Sequence, residues 1–327
     1  MMVALTLAFV GAMVASTIVL ALLMPLFRAY ALARPNARSS HRAPVPQGGG
    51  IGILIGGLGV GLVVASLAER SPAVSGVLLA SALAMGLLGA CDDLVPLSWR
   101  LRLGVQAMLV TLLLVAMPPE LRLAPWLPLL VERAASVVLG LWFVNLVNFM
   151  DGIDGLLVIG LAPLTLAIGT GFLGIIPSDP FAMAISGALL GFLLFNWPPA
   201  RLFAGDVGSL AVGLIVAYLL FVLASRASLV ASLILPLHFL CDATTTLVLR
   251  ASRKQNLTQA HRDHAYQRAF DAGMSNRRIL GEVAVLNAGL AGLAGLAISY
   301  PLLAVPALAL GLVLTSVLLW HQRRRGR

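Results

Sequence analysis

Charge is what this sequence has least of. Only 11% of its 327 residues are Asp, Glu, Lys or Arg, against 60% hydrophobic residues. Its mean hydropathy is +0.98. A soluble globular domain carries roughly a quarter of its residues as charges, so this composition excludes a water-soluble enzyme. It leaves an all-α polytopic membrane protein, because helices satisfy their own backbone groups in lipid. Cysteine is also scarce. Cys91 and Cys241 form no zinc or redox spacing and read as small buried residues. No internal repeat and no Pro/Ser linker divides the chain, so residues 1–327 read as one integral membrane domain. No basic residue precedes the first apolar run. That run is too long for a cleaved leader, although Ala31-Leu32-Ala33 resembles a cleavage site, and it reads as a span.

What is there is a series of apolar runs. Eleven segments of spanning or near-spanning length lie near 2–26, 51–68, 73–91, 103–117, 133–150, 155–176, 181–196, 208–224, 228–249, 279–298 and 302–320. The net charge of +9 could point to nucleic acid, but its distribution points to membrane topology instead. If alternate connections face the same side, eighteen of the 22 basic residues gather on one of them. Only Arg70, Arg122, Arg133 and Arg226 fall opposite. The positive-inside rule then predicts about eleven transmembrane helices with the N-terminus outside and the C-terminus inside. The main cytoplasmic loop would be 250–278. Glu69, Glu120, Glu132 and Asp179 fall outside. Asp92, Asp93, Asp151, Asp154 and Asp206 all fall at cytoplasmic ends of apolar segments. A carboxylate cluster at one surface repels itself unless a cation sits in it.

Four stretches carry candidate chemistry. Asn145-Leu-Val-Asn148-Phe-Met-Asp151-Gly-Ile-Asp154-Gly155 puts two carboxamides and two carboxylates beside apolar sequence, each pair three residues apart and so on one face of a helical turn. Gly152 would let backbone approach a ligand. Gly89-Ala-Cys-Asp92-Asp93 closes the third segment with adjacent carboxylates, suited to a divalent cation. Asn196-Trp-Pro-Pro-Ala-Arg-Leu-Phe-Ala-Gly205-Asp206-Val-Gly208-Ser209 stops a helix at its prolines and starts another. Ser209 could cap that second helix, whose free N–H groups favour an anion. His261-Arg262-Asp263-His264-Ala-Tyr-Gln-Arg268 is a poor zinc site but a good phosphate grip. Its charges should be in water, so removing them should cost little stability. An ordinary helix end, capped turn or solvated loop is the plain alternative for each stretch. Ser39-Ser-His-Arg42-Ala-Pro-Val-Pro-Gln47-Gly-Gly-Gly50 enters the second segment, and its glycines could admit a lipid or phosphate. His238 and Asp242, four apart in a helix, could pair and brace the site.

Together these motifs resemble the polyprenyl-phosphate N-acetylhexosamine-1-phosphate transferases of the glycosyltransferase family 4 type. The resemblance runs from Ser39 to Arg268, and the loop at 261–268 looks closest to the O-antigen and common-antigen initiating branch. Gln47 stands where that branch usually has a basic residue. The resemblance implies transfer of an N-acetylhexosamine-1-phosphate from a UDP-sugar to undecaprenyl phosphate at the cytoplasmic face of a bacterial inner membrane, with release of UMP. It implies Mg²⁺, with Mn²⁺ as a substitute, held by Asn148 and Asp206. It places Asp92 and Asp93 beside the lipid phosphate as catalytic residues with Asp206. It assigns Asp151 and Asp154 to the nucleotide pocket, and His261, Arg262 and His264 to diphosphate or sugar. Arg42 is a weaker anion-binding candidate. The identity of the sugar and a homodimer stay open. The alternative is a transporter of an anionic lipid or sugar phosphate, which would place polar groups near mid-membrane and show repeated halves.

Overall fold

The computed structural model describes residues 2–33, 44–67, 72–256, 259 and 261–325. Each of the eleven apolar segments falls on one helix or a broken pair. Helix α1 is Met2–Tyr30. A two-residue antiparallel ladder pairs β1 (Leu32–Ala33) with β2 (Val45–Pro46), a small exception to an otherwise helical chain. Helices α2 (Gly50–Leu54) and α3 (Val60–Leu67) are joined by a π turn. Helix α4 is Pro72–Leu94, α5 is Trp99–Val115 and α6 is Leu129–Phe149. Helix α7 (Leu156–Gly169) breaks into the short α8 (Gly171–Gly174), so the segment read as one span at 155–176 is two pieces. The break falls at Gly171, whose φ is +64°. Helix α9 is Pro180–Asn196 and α10 is Asp206–Arg226. Helices α11 (Leu229–Ile234) and α12 (Leu237–Ser252) divide next to Pro236. The loop expected at 250–278 contains its own helix, α13 (Ala265–Asp271). Helices α14 (Asn276–Ser299) and α15 (Ala304–Arg325) end the chain.

Among the described residues, six helices are long and apolar enough to cross a membrane. They are Met2–Tyr30, Gly76–Leu94, Leu129–Phe149, Asp206–Arg226, Asn276–Ser299 and Pro301–Arg325. The chain is therefore a polytopic membrane protein. Polar residues mark several helix starts. Ser98 caps α5, Asp179 caps α9 ahead of Pro180, Ser228 caps α11 and Ser275 caps α14, each accepting a free backbone N–H.

Helix α10 is the centre. About 78% of its apolar stretch is buried in protein, against 28% for α1 and 22% for α15, which face outward. Helices α4 and α6 flank α10, α7 also packs on it, and α9 packs on α7. Lipid tails are as apolar as leucine, so packing rather than hydrophobicity holds such helices together. Helix α1 lies on α9 where Gly187 faces the carbonyl of Phe9 and Gly191 that of Met13, with no room for a side chain at either place. Cys241 is half-buried, but Cys91 is on the surface at the end of α4, against the expectation that both are buried.

Candidate active site

One cavity of about 670 Å³ gathers residues from sequence-distant elements. Its walls include Asp93 from α4, Arg102 from α5, Asn145 and Asn148 from α6, Asp151 and Asp154 from the turn after α6, Asp206 and Ser209 from α10, and His261 and His264 before α13. The aromatic faces of Trp99, Trp142, Phe149 and Phe203 complete it.

At its base, the Asn148 amide donates to Asp206 Oδ1 and to Ser209 Oγ, both at 2.8 Å. Residues 58 and 61 positions apart thus meet across α6 and α10. Ser209 is an acceptor inside the first turn of α10 and does not cap it. The cap comes from another helix. Asp93 accepts the backbone N–H of Asp206 at 3.1 Å and of Val207 at 3.3 Å. The anion expected at this helix start is therefore the protein's own carboxylate. Gln47 sits beside it, 3.4 Å from the Asp93 carbonyl. The glycines after Gln47 admit backbone rather than ligand, with Gly49 and Gly50 donating to the Phe203 and Ala204 carbonyls.

Asp92 is not among the cavity walls. Its carboxylate accepts the Leu97 N–H at 2.7 Å and pairs with Arg102 at 2.7 Å. Arg102 also stands 3.6 Å from Asp206 Oδ2. It bridges the two carboxylates and is the one arginine among the described residues that line the cavity. In the sequence Arg102 is one of the eighteen basic residues on the inner side. Its position ten residues after Asp92, one helix away, gives no local signal. Asn145 stands out in the sequence, whereas its partner carries no local signal. Asn145 donates to Gln106 of α5 at 2.8 Å, locking α5 to α6 beside the cavity.

Helix α6 ends at Phe149, so Asp151 and Asp154 do not share a helical face as their spacing suggested. They lie in the turn that precedes α7. Asp154 is buried, and its Oδ2 accepts the Ala200 N–H at 2.9 Å. Gly155 N–H donates to Asn196 Oδ1 at 2.7 Å, and Asn196 donates on to the Leu202 carbonyl. Asp154 and Asn196 thereby tie two cavity turns together. Burial pushes the Asp151 carboxyl up to about 7, and the charges of Asp206, Asp93 and Asp154 push the same way.

Helix α13 closes the remaining side. Tyr266 donates from its hydroxyl to the Phe149 carbonyl at 2.9 Å. Gly152 lies so close to that hydroxyl that a Cβ would collide with it. The close approach that this glycine permits is thus to Tyr266. His264 is 2% exposed and stacks on Tyr266, with ring centroids 5.7 Å apart and a 17° interplanar angle. His261 lies 5.2 Å from His264. Asp263 is held by Arg250 and by Arg268, the latter at 3.1 Å. Burial pushes the Asp263 carboxyl up, but these hydrogen bonds outweigh it and leave the carboxyl below its ordinary value. Arg262, expected to grip diphosphate, places its guanidinium on Asp271 at 2.6 and 3.1 Å and is not a cavity wall. Arg42 lies outside the described residues.

The loop is therefore not a set of charges in water, and the expected cost of changing it is revised. His264→Ala empties a buried ring site and is expected to lower stability by about 1–3 kcal/mol as well as turnover. Thermal unfolding in detergent checks the first effect. An unchanged midpoint would contradict the burial of His264.

His238 does not pair with Asp242. Asp242 accepts instead from Ala265 N–H and Arg323. Neither ring nitrogen of His238 has a hydrogen-bond partner among the described residues.

Residues 75–224 match the family model described as "Glycosyl transferase family 4". That range holds Asp92, Asp93, Arg102, Asn148, Asp151, Asp154 and Asp206. Three relatives extend the match. The chain is 27% identical over 263 residues to the "probable undecaprenyl-phosphate N-acetylglucosaminyl 1-phosphate transferase" of Bacillus subtilis (strain 168), covering 76% of this chain and 72% of that one. It is 31% identical over 255 residues to a phospho-N-acetylmuramoyl-pentapeptide-transferase of Mycobacterium sp. (strain JLS), covering 62% of this chain and 69% of the relative. It is 29% identical over 215 residues to a decaprenyl-phosphate N-acetylglucosaminephosphotransferase of Mycobacterium tuberculosis (strain ATCC 25618 / H37Rv), covering 57% and 52%. With Asp93, Asn148, Asp151, Asp154 and Asp206 lining one cleft and the family model running through them, the chain belongs to glycosyl transferase family 4.

Proposed function

We propose that this protein transfers an N-acetylhexosamine-1-phosphate from a UDP-sugar to undecaprenyl phosphate and releases UMP, as a first step in making a lipid-linked cell-surface polysaccharide such as an O-antigen. The observation that carries this reading is the cleft itself, where the acids of three distant segments meet beside one arginine and an imidazole pair. The names of the three relatives describe phosphosugar transferases, and two of them specify a polyprenyl phosphate.

The reaction brings together two anions, so the cleft must offset charge. Mg²⁺ fits the donors at its base. Asn148 donates through its nitrogen to Asp206 and Ser209, which leaves its carboxamide oxygen beside the Asp206 carboxylate. Among the described residues no group of three or more His, Cys, Asp or Glu forms an all-protein metal cage. Two protein oxygens suit Mg²⁺, which keeps several waters or phosphate oxygens. When bound, Mg²⁺ would neutralise and orient the diphosphate. Asn148 and Asp206 would hold it, and Mn²⁺ would substitute. Asp93 and Arg102 set the position of Asp206. His261 and His264 line the wall that would face phosphate or sugar, and the aromatic walls suit a base or a prenyl chain. A lipid phosphate held here needs little activation, which favours direct attack over a covalent aspartyl intermediate.

Release of UMP from a panel of UDP-sugars with undecaprenyl phosphate and purified protein tests the reading. A transporter would move its cargo and release none. UMP/UDP-sugar exchange without lipid would overturn direct attack.

The cleft is assigned to the cytoplasmic face with about eleven spans, N-out and C-in, on the distribution of basic residues. Reporter fusions are expected to place the two ends on opposite sides of a bacterial inner membrane. Ends on the same side would remove a span and move the cleft's assignment.

A further inference from the structure

Asp242 stands outside the cleft, yet it is wired into its wall. The residue lies in α12 and is fully buried. Its two oxygens accept the Ala265 backbone N–H at 2.9 and 3.0 Å, which is the start of α13, one residue after His264. Thr246 Oγ1 lies 3.3 Å away. The opposite charge comes from the far end of the chain. Nη2 of Arg323, in the last turn of α15, stands 3.3 Å from Asp242 Oδ1 and donates to Thr246 Oγ1 at 2.8 Å and Thr245 Oγ1 at 3.0 Å. A buried carboxylate is costly without a paired cation and a full set of donors. Arg323 and the α13 backbone together provide them.

We infer that Arg323 is a positioning residue of the cleft, holding the first turn of α13, and with it His264, through the buried Asp242. The inference rests on reading the cleft as the transferase site. His264 Nδ1 lies 4.0 Å from Asp242 Oδ1. His264 N–H meets Gln267 Oε1 at 3.4 Å, so the same short helix fixes its backbone. A loosened α13 would therefore release the imidazole from its stack on Tyr266.

Charge reaches His264 as well. Asp242 and Arg250 face it from α12, Asp263 from the loop, Arg323 from α15, and the His261 ring lies alongside. Burial holds the imidazole below its ordinary value, Asp242 works the other way, and Arg323 and Arg250 push down. Removing Arg323 therefore raises it. The plain alternative is that Arg323 is one more basic residue of a cytoplasmic end. Arg324 separates the two readings. It is exposed and lies 4.9 Å over the Trp320 ring, so its loss removes the same charge from the same turn without touching Asp242.

The experiment uses the full chain in detergent as wild type, Arg323→Gln, Arg323→Lys and Arg324→Gln. Hydrogen exchange over residues 263–271 needs neither nucleotide nor lipid. It is followed by the pH–rate profile and by KM and kcat for the UDP-sugar. Arg323→Gln is expected to speed exchange in the first turn of α13 about tenfold. It is expected to move the limb of the pH profile set by His264 upward, and to raise KM more than it lowers kcat. Arg323→Lys keeps the charge, but its shorter side chain does not reach the place of Nη2, the nitrogen that makes the contacts to Asp242, Thr245 and Thr246. It should hold the pH limb near wild type while exchange still rises, and it carries the test if Arg323→Gln does not fold. Arg324→Gln should match wild type. Wild-type exchange in Arg323→Gln would overturn the inference. So would faster exchange with unchanged pH profile and KM, or the same changes in Arg324→Gln. A wild type that releases no UMP would sink the transferase reading, while the exchange data would still judge whether Arg323 holds α13.

Discussion

Asp206→Asn is expected to insert and fold like the wild type and to turn over roughly a hundredfold more slowly or worse, at about 1.4 kcal/mol per tenfold. The geometry explains both halves. Asp206 is the first residue of α10, and its backbone N–H is bonded to Asp93. Its Oδ1 accepts from Asn148, and an asparagine oxygen can accept there too. Helix start, side-chain volume and the link between α6 and α10 all survive the change. The charge does not. Arg102, 3.6 Å from Asp206 Oδ2, keeps Asp92 as its anion among the described residues, and the proposed Mg²⁺ loses its anionic protein oxygen. Mg²⁺ prefers hard oxygen and takes few protein ligands, so each one counts. UMP release measures the loss, and a Mg²⁺ titration should recover part of it. Wild-type turnover at ordinary Mg²⁺ would show that Asp206 only starts a helix and that the metal belongs elsewhere or nowhere.

The apolar runs were legible in the sequence because lipid imposes one solution on the backbone. Each run falls on one helix or a broken pair, and the acids at their ends, Asp93, Asp151, Asp154 and Asp206, meet in one cleft. Local breaks were less legible. The interruption at Gly171 and the one at Pro236 need a backbone conformation that hydropathy does not report. Partners were the least legible. Asp93 and Asp206 are 113 residues apart, and Tyr266 and Phe149 are 117. Nothing in either local sequence names the other. The same holds for Arg102, which looked like a topology charge, and for His264, which looked solvated because its neighbours are Arg and Asp. Side-chain burial depends on what the rest of the chain lays over it. Here Tyr266, Phe149 and α12 cover the imidazole.

Gly89→Ala is expected to cost more than any ordinary change of one methyl group, because of where that methyl would land. Gly89 lies on α4 one helical turn before Asp93, so the two share a face. A Cβ at Gly89 would run into the Asp206 carbonyl and lie 2.5 Å from the Val207 nitrogen. The obstacle is backbone at the start of α10, so no side-chain rotation relieves it. Helix α4 must move away, and it takes Asp93 with it. The N–H groups of Asp206 and Val207 then lose their acceptor. Overpacking costs about 1–3 kcal/mol, and losing a helix cap about 0.5–2 kcal/mol more. Asp206 is displaced in the same movement, so surviving protein should also turn over slowly even at high Mg²⁺. Thermal unfolding in detergent and UMP release measure the two effects on one preparation. Gly292→Ala is the control. That glycine lies in α14 with nothing within 4 Å of its missing Cβ, and alanine there should be neutral or slightly stabilising. A Gly89→Ala protein with the wild-type unfolding midpoint and turnover would show that α4 does not lie on the start of α10, and that Asp93 caps nothing.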